Sequence, residues 1–334
     1  MRIAFFEIEE WEEKIIREAF SGNDVFVSKD KITSAYLPDK LDFEILSVFI
    51  DSRIDKAVLD CFPRVKCVAT RSTGYDHIDV AECKKRGITV LYVPGYGDNT
   101  VAEFTFGLVL NLTRKMYQSI DQIKERGSFS LDGLRGMDIK GKTIGIVGTG
   151  RIGKEVIKIA KGFGMNVIAH DPYPDENFAK EIGAEYVSLD KLLGNSDIIS
   201  LHCPYNKDTH HLINGKNVGN IKNGAYMVNT ARGGVVETEA LVYALKSGAL
   251  AGYAADVLEE EGETKEELQL LVSGHPKEEE LKIMLENHIL MKMPNVLITP
   301  HNAFNSKEAL ERILRTTIEN IEGYLKGTPA NIVQ

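Results

Sequence analysis

The stretch Lys142-Thr143-Ile144-Gly145-Ile146-Val147-Gly148-Thr149-Gly150-Arg151-Ile152-Gly153 decides the fold. An apolar run over residues 143–147 leads straight into Gly148-x-Gly150-x-x-Gly153, and a helical pattern over 154–163 follows. A strand, a glycine-rich turn and a helix in that order are what the phosphate-binding turn of a dinucleotide site requires. Gly148 permits the tight turn, Gly150 lets a pyrophosphate approach the backbone, and Gly153 brings the helix close to the strand. The helix start adds free N–H groups and a partial positive charge. About twenty residues further on, the next apolar strand ends at Asp171. A carboxylate there suits the two ribose hydroxyls of NAD and opposes the 2′-phosphate of NADP.

Working outward, the same alternation continues on both sides. Downstream, strands are expected over residues 185–187, 198–201, 225–229, 251–256 and 296–299. Upstream, they are expected over 3–6, 25–28, 45–49, 67–70 and 89–92, with helical patterns at 12–20 and 56–62. Strands alternating with helices predict parallel sheets of the α/β class. One long helical segment is predicted over residues 99–123, where Phe104, Leu108, Leu112 and Met116 recur at helical spacing. It suits a bridge between two lobes or a subunit contact, and burial in one core explains it equally well. Residues 127–141, with four glycines, read as a surface connection, and the acidic stretch 259–286 as an insertion with short helices. A final amphipathic helix is expected over 306–326, capped by Ser306.

Composition narrows the partners. A net charge of −9 disfavours nucleic acid and anionic membranes. No stretch approaches the roughly 18 apolar residues of a membrane span, and no signal-peptide pattern opens the chain. Cys61, Cys67, Cys83 and Cys203 show neither Cys-x-x-Cys pairing nor zinc spacing, so no metal is expected and a reducing, cytoplasmic setting is.

Three strand ends after the glycine motif carry candidate chemistry. Asn229-Thr230-Ala231-Arg232-Gly233-Gly234 puts an arginine where α/β sheets bind ligands, and its planar fork suits a carboxylate. Ala255-Asp256-Val257-Leu258-Glu259-Glu260-Glu261 offers acidic groups, and composition leaves open which glutamate is functional, with at least two expected to be solvated. Thr299-Pro300-His301-Asn302 supplies a histidine, the side chain best suited to move a proton near neutral pH. His210 and His211 look like loop residues.

Taken in order, Gly-Thr-Gly-Arg-Ile-Gly at 148–153, His-Asp-Pro at 170–172, Asn-Thr-Ala-Arg-Gly-Gly at 229–234, Asp256-Val257-x-Glu259 and Thr-Pro-His at 299–301 resemble the D-isomer-specific 2-hydroxyacid dehydrogenases. Segments 70–79 and 94–103 also match, so the resemblance covers essentially the whole chain. Tyr96 before Asp98-Asn99-Thr100-Val101-Ala102-Glu103, and the acidic insertion, are most similar to the family's D-lactate dehydrogenase branch.

The resemblance implies a two-lobed α/β fold, with a Rossmann-type NAD-binding domain (100–299) inserted into a flavodoxin-like substrate domain (1–99 plus 300–334). It implies a catalytic trio of Arg232, Glu261 and His301. Arg151 and Ile152 would lie against the pyrophosphate beside Gly148, Gly150 and Gly153, and Asp171 would bind the ribose. Cys203, Pro204 and Thr209 would line the adenine side, with Thr230, Ala231 and Asp256 near the nicotinamide. Amides around Thr73 and Gly74, together with Tyr96 and Arg232, would hold the substrate carboxylate. Thr73-Gly74-Tyr75 departs from the Val-Gly-Val common in lactate enzymes. The implied activity is hydride exchange between NAD and a small 2-keto or 2-hydroxy acid, first of all pyruvate and D-lactate, in a homodimer. The alternatives are other 2-keto acids of the same family (glyoxylate, hydroxypyruvate, or branched and aromatic acids) and an NAD-binding sensor or co-repressor with little turnover.

Overall fold

The structure is a computed structural model, and it describes residues 1–259 and 278–333, with backbone alone for 278–280. It separates into two compact units. The first comprises Met1–Tyr96 and Ser306–Gln334, and the second Gly97–Asn305.

The first unit is built on strands β1 (Arg2–Phe5), β2 (Asp24–Val27), β3 (Ile45–Val48), β4 (Cys67–Thr70) and β5 (Thr89–Leu91). They form one parallel sheet in the order β2-β1-β3-β4-β5. Both β3 and β4 are buried along their whole length, which is why they read as mainly apolar runs, broken only by Ser47 and closed by Thr70. Helices α1 (Glu10–Ala19), α2 (Lys56–Cys61) and α3 (Val80–Lys85) connect the strands. Asp55 and Asp79 cap α2 and α3 by accepting from Val58 and Glu82 N–H. The C-terminal helix, residues Lys307–Leu325, packs Leu314 and Ile321 into the core formed by Ile3, Phe5 and Ile45. Ser306 caps it as expected, accepting from the Ala309 N–H.

In the second unit the expected single helix over 99–123 is two: α4 (Asp98–Arg114) and α5 (Met116–Arg126). Lys115 between them adopts φ 52°, the left-handed conformation, and the Thr113 carbonyl accepts from Met137 N–H instead of continuing the helical ladder. Seven parallel strands follow: β6 (Thr143–Val147), β7 (Asn166–His170), β8 (Glu185–Tyr186), β9 (Ile198–Leu201), β10 (Ala225–Asn229), β11 (Leu250–Ala255) and β12 (Val296–Ile298). Their order is β12-β11-β10-β9-β6-β7-β8, so the chain reverses direction across the sheet between β6 and β9. That doubly wound order places a binding crevice at the carboxyl ends of β6 and β9. Helices α6 (Arg151–Gly162), α7 (Glu176–Ile182), α8 (Leu189–Asn195), α9 (Thr238–Ser247) and α10 (Glu278–Lys292) surround the sheet. The acidic stretch thus contributes α10, while Leu268, Leu270 and Leu271 lie outside the described residues.

Candidate active site

The glycine turn has the geometry its sequence predicts. Gly148 adopts φ +91°, and a Cβ there would stand 2.6 Å from the Cys203 nitrogen, so only glycine fits. A Cβ on Gly153 would collide with the Gly148 carbonyl, which is how closely α6 approaches β6. Gly150, by contrast, faces open space, with nothing within 4 Å of where its Cβ would be. It caps α6 through backbone alone, leaving the first N–H groups of a twelve-residue helix facing that space. This open cradle at a helix start fits a pyrophosphate.

The flanking residues complete that picture. Asp171, just past β7, accepts from Thr149 N–H and Oγ1 at 2.7 and 3.1 Å and from Tyr173 N–H at 2.8 Å. Its carboxylate is thereby held at the edge of the cradle. Arg151 pairs with Asp98, the first residue of α4, at 2.8 Å, while Ile152 packs on the apolar core. Cys203 is buried, and burial pushes its thiol up to about 11, so this wall is uncharged. The Thr209 hydroxyl donates to the Pro204 carbonyl at 2.6 Å and fixes the following loop.

His202, at the end of β9, is only half-buried as a residue, yet its Nδ1 is sealed from solvent and has no hydrogen-bond partner among the described residues. Its Nε2 contacts Ser200 Oγ at 2.7 Å. Desolvation lowers its pKa from 6.5 to about 3, so the ring is neutral in the fold. A base with a depressed folded pKa stabilises fully above pH 6.5 and loses that contribution as pH falls toward about 3. His202 should therefore account for about 2 kcal/mol of lost stability between pH 7 and pH 5. Urea midpoints at those two pH values should separate less in His202→Gln than in wild type. An equal separation would contradict this account of the ring.

The candidate catalytic segments meet at the ends of β10, β11 and β12. Asn229, fully buried, donates to the Arg232 carbonyl at 3.0 Å and accepts from Ala231 N–H at 3.0 Å, shaping the turn that carries the arginine. Thr230 Oγ1 lies 2.9 Å from Thr105 Oγ1 of α4. A Cβ on Gly233 would strike the Leu258 carbonyl, so the arginine turn rests directly on the chain leaving β11. Asp256 is 1% exposed; its carboxylate accepts from the Thr299 hydroxyl and from Asn302 and Ala303 N–H at 2.8 and 2.7 Å. Burial raises its pKa, while those bonds and the nearby His301 oppose the rise. Asp256 thus clasps the turn holding His301, whose φ of +52° is strained for a histidine. His301 also lines a cavity of about 730 Å³ walled by Phe104, Leu108, Leu258, Met291 and Leu297.

Of the three consecutive glutamates, Glu259 is buried, at 8% exposure. It accepts from Thr238 N–H and Oγ1 at 3.2 and 2.6 Å and contacts His211 Nε2. It ties the start of α9 and the His211 loop to the chain that leaves β11, a bracing role not visible in a run of identical residues. His211 is a loop residue as expected, but it is engaged in that brace. Glu260 and Glu261 lie outside the described residues.

Thr73, Gly74 and Tyr96 belong to the first unit. The Thr73 hydroxyl donates to the Val93 carbonyl at 2.7 Å, and the Tyr96 carbonyl accepts from Arg312 Nε at 2.7 Å. The N–H groups of Thr73, Gly74 and Tyr75 donate to no acceptor among the described residues.

Comparison with known proteins defines the class. Residues 106–303 match the family model for the D-isomer specific 2-hydroxyacid dehydrogenase, NAD binding domain. A 2-hydroxyacid dehydrogenase homolog of Zymomonas mobilis is 37% identical, covering 96% of both chains. A glyoxylate reductase of Thermofilum pendens is 39% identical over 86% of this chain and 79% of its own. Among solved structures, a D-lactate dehydrogenase of Aquifex aeolicus, complexed with NAD and lactic acid, superposes with a TM-score of 0.85 at 35% identity, covering 98% of this chain and 96% of that one. The chain belongs to the D-isomer-specific 2-hydroxyacid dehydrogenase family, and its second unit carries the NAD-binding domain. It is an NAD-dependent oxidoreductase with the fold expected from its motifs. Among the described residues no helix is long and apolar enough to cross a membrane.

Proposed function

We propose that this enzyme reduces pyruvate to D-lactate. The observation that carries the reading is the convergence of the Arg232 turn, the Asp256 clasp and the His301 turn at one edge of the seven-stranded sheet. Arg232 pairs with the substrate carboxylate and polarises the 2-keto oxygen. The amides of Thr73 and Gly74, with Tyr96, are the first unit's own groups for a carboxylate. His301 donates a proton to the oxygen as it gains charge, and Glu261, outside the described residues, is its partner as the resemblance implies. Gly148–Gly153 would hold the phosphates and Asp171 the ribose of NADH, which when bound would supply the hydride.

The likeness to a D-lactate dehydrogenase over nearly the whole chain supports pyruvate as substrate. The likeness to a glyoxylate reductase supports glyoxylate as the second reading. NADH oxidation measured against pyruvate, glyoxylate, hydroxypyruvate, phenylpyruvate and 2-ketoisocaproate tests both. Pyruvate should give the highest kcat/KM; a higher value for glyoxylate would transfer the assignment to that acid.

Asp171 sets cofactor choice in this reading. Asp171→Ala should weaken NADH and narrow the gap to NADPH, measured as the ratio of the two kcat/KM values. Equal use of NADPH by the wild-type enzyme would contradict it.

The functional unit is a homodimer in the same reading. The α5 helix has no buried residue and exposes Met116, Tyr117, Ile120 and Ile123, followed by Phe129 and Leu131 at 85% and 84% exposure. Such a contiguous apolar strip suits an interface between copies. Ile120→Asp should shift the sedimenting species from dimer to monomer, and a wild-type monomer would remove the assignment.

A further inference from the structure

The loop after β4 contains a directed chain of hydrogen bonds that no catalytic role uses. His77 Nε2 lies 3.1 Å from Thr70 Oγ1, Thr70 Oγ1 lies 2.6 Å from Ser72 Oγ, and the Ser72 hydroxyl donates to the Gly74 carbonyl at 2.6 Å. Thr70 and Ser72 are both buried. A hydroxyl has one proton to give, and a carbonyl can only accept. The Ser72 proton is used on Gly74, so the Thr70 proton must go to Ser72. Thr70 Oγ1 must then accept from His77, and Nε2 must carry a proton.

That chain and one backbone bond together fix where two of the loop's amides point. In a trans peptide the N–H is antiparallel to the C=O of its own unit. The Ser72 carbonyl accepts from Val93 N–H at 3.0 Å, which turns the Thr73 N–H the opposite way. The Gly74 carbonyl, held by Ser72, turns the Tyr75 N–H away likewise. The Thr73, Gly74 and Tyr75 N–H groups donate to no acceptor among the described residues, which leaves three consecutive donors available to an anion. His77 is itself pinned, because its carbonyl accepts from Ile54 N–H at 2.9 Å.

We propose that His77 is a positioning residue: as an Nε2–H donor it drives the Thr70–Ser72–Gly74 chain and locks the Thr73–Tyr75 backbone into a cradle for the substrate carboxylate. This rests on the reading above that the Thr73–Gly74 loop receives that carboxylate. Nitrogen chemical shifts of the His77 ring, assigned by comparison with His77→Phe, should show a protonated Nε2. A bare Nε2 would overturn the proposal. His77→Phe should raise KM for the keto acid by about tenfold, the scale of one net hydrogen bond, with kcat and the NADH dissociation constant within about twofold of wild type. His77→Gln, which restores a donor, should bring KM most of the way back. An unchanged KM in the phenylalanine variant, a parallel loss of NADH affinity, or no rescue by glutamine would each overturn it. If the phenylalanine variant does not fold, Thr70→Val breaks the chain at its middle link, and the same KM test applies. If wild-type protein reduces no 2-keto acid, the functional reading fails and the cradle is judged separately by titrating the NADH complex with oxamate. Shifts of the Thr73, Gly74 and Tyr75 amide resonances would uphold the cradle, and their absence would overturn it.

Discussion

His301→Gln is expected to lower kcat for keto-acid reduction by about a thousandfold, within the range a positioned general acid contributes. Glutamine keeps polarity and approximate size but cannot deliver a proton to an oxygen that is becoming an alkoxide. The position is built for one orientation: Asp256 accepts from Asn302 and Ala303 N–H and from Thr299, and the histidine backbone sits at φ +52°. The NADH dissociation constant, read by fluorescence, should stay within about twofold, because in this account the cofactor is held at β6 and β7. A variant that loses NADH affinity in proportion to kcat would show that His301 shapes the domain and does not act as the acid.

Arg232→Lys should cost about a hundredfold in kcat/KM, comparable with removing a donor from a site that stabilises developing charge. Lysine keeps the charge and loses the planar fork that can engage carboxylate and keto oxygen together. Both KM and kcat should change, since ground-state binding and transition-state polarisation fall on the same group. The turn is set mainly by Asn229 and by the contact of Gly233 with Leu258, and the guanidinium adds one bond of its own, from Nη1 to the Ala231 carbonyl at 2.9 Å, which a lysine ammonium can also donate. Wild-type values for both constants would remove Arg232 from the site.

The extent to which the fold was legible follows from where its information lies. Strands 143–147, 198–201 and 225–229 coincide with the expectation because buried parallel strands are apolar runs stopped by polar or glycine residues. The single helix expected over 99–123 is two in the structure, and the sequence conceals the break because Phe104, Leu108, Leu112 and Met116 keep their spacing straight through Lys115. The cause of the break lies elsewhere in sequence, in the Met137 N–H that takes the Thr113 carbonyl. The candidate site divides in the same way. Gly148, Asp171, Arg232 and His301 each follow a strand and stand out by residue type. Glu259 does not, because what distinguishes it from its neighbours is Thr238 and His211, 21 and 48 residues away. The Thr70–Ser72–His77 chain was equally silent, since three ordinary polar residues acquire direction only when their hydrogen bonds are counted together.

Hydride transfer from the nicotinamide to C2 of a 2-keto acid can be followed by isotope. The most direct measurement is to incubate the enzyme with pyruvate and NADH deuterated at both C4 positions, then analyse the product by mass spectrometry and chiral chromatography. The expected product is D-lactate carrying one deuterium at C2. Lactate without deuterium, L-lactate, or no lactate in the presence of oxidised cofactor would contradict it.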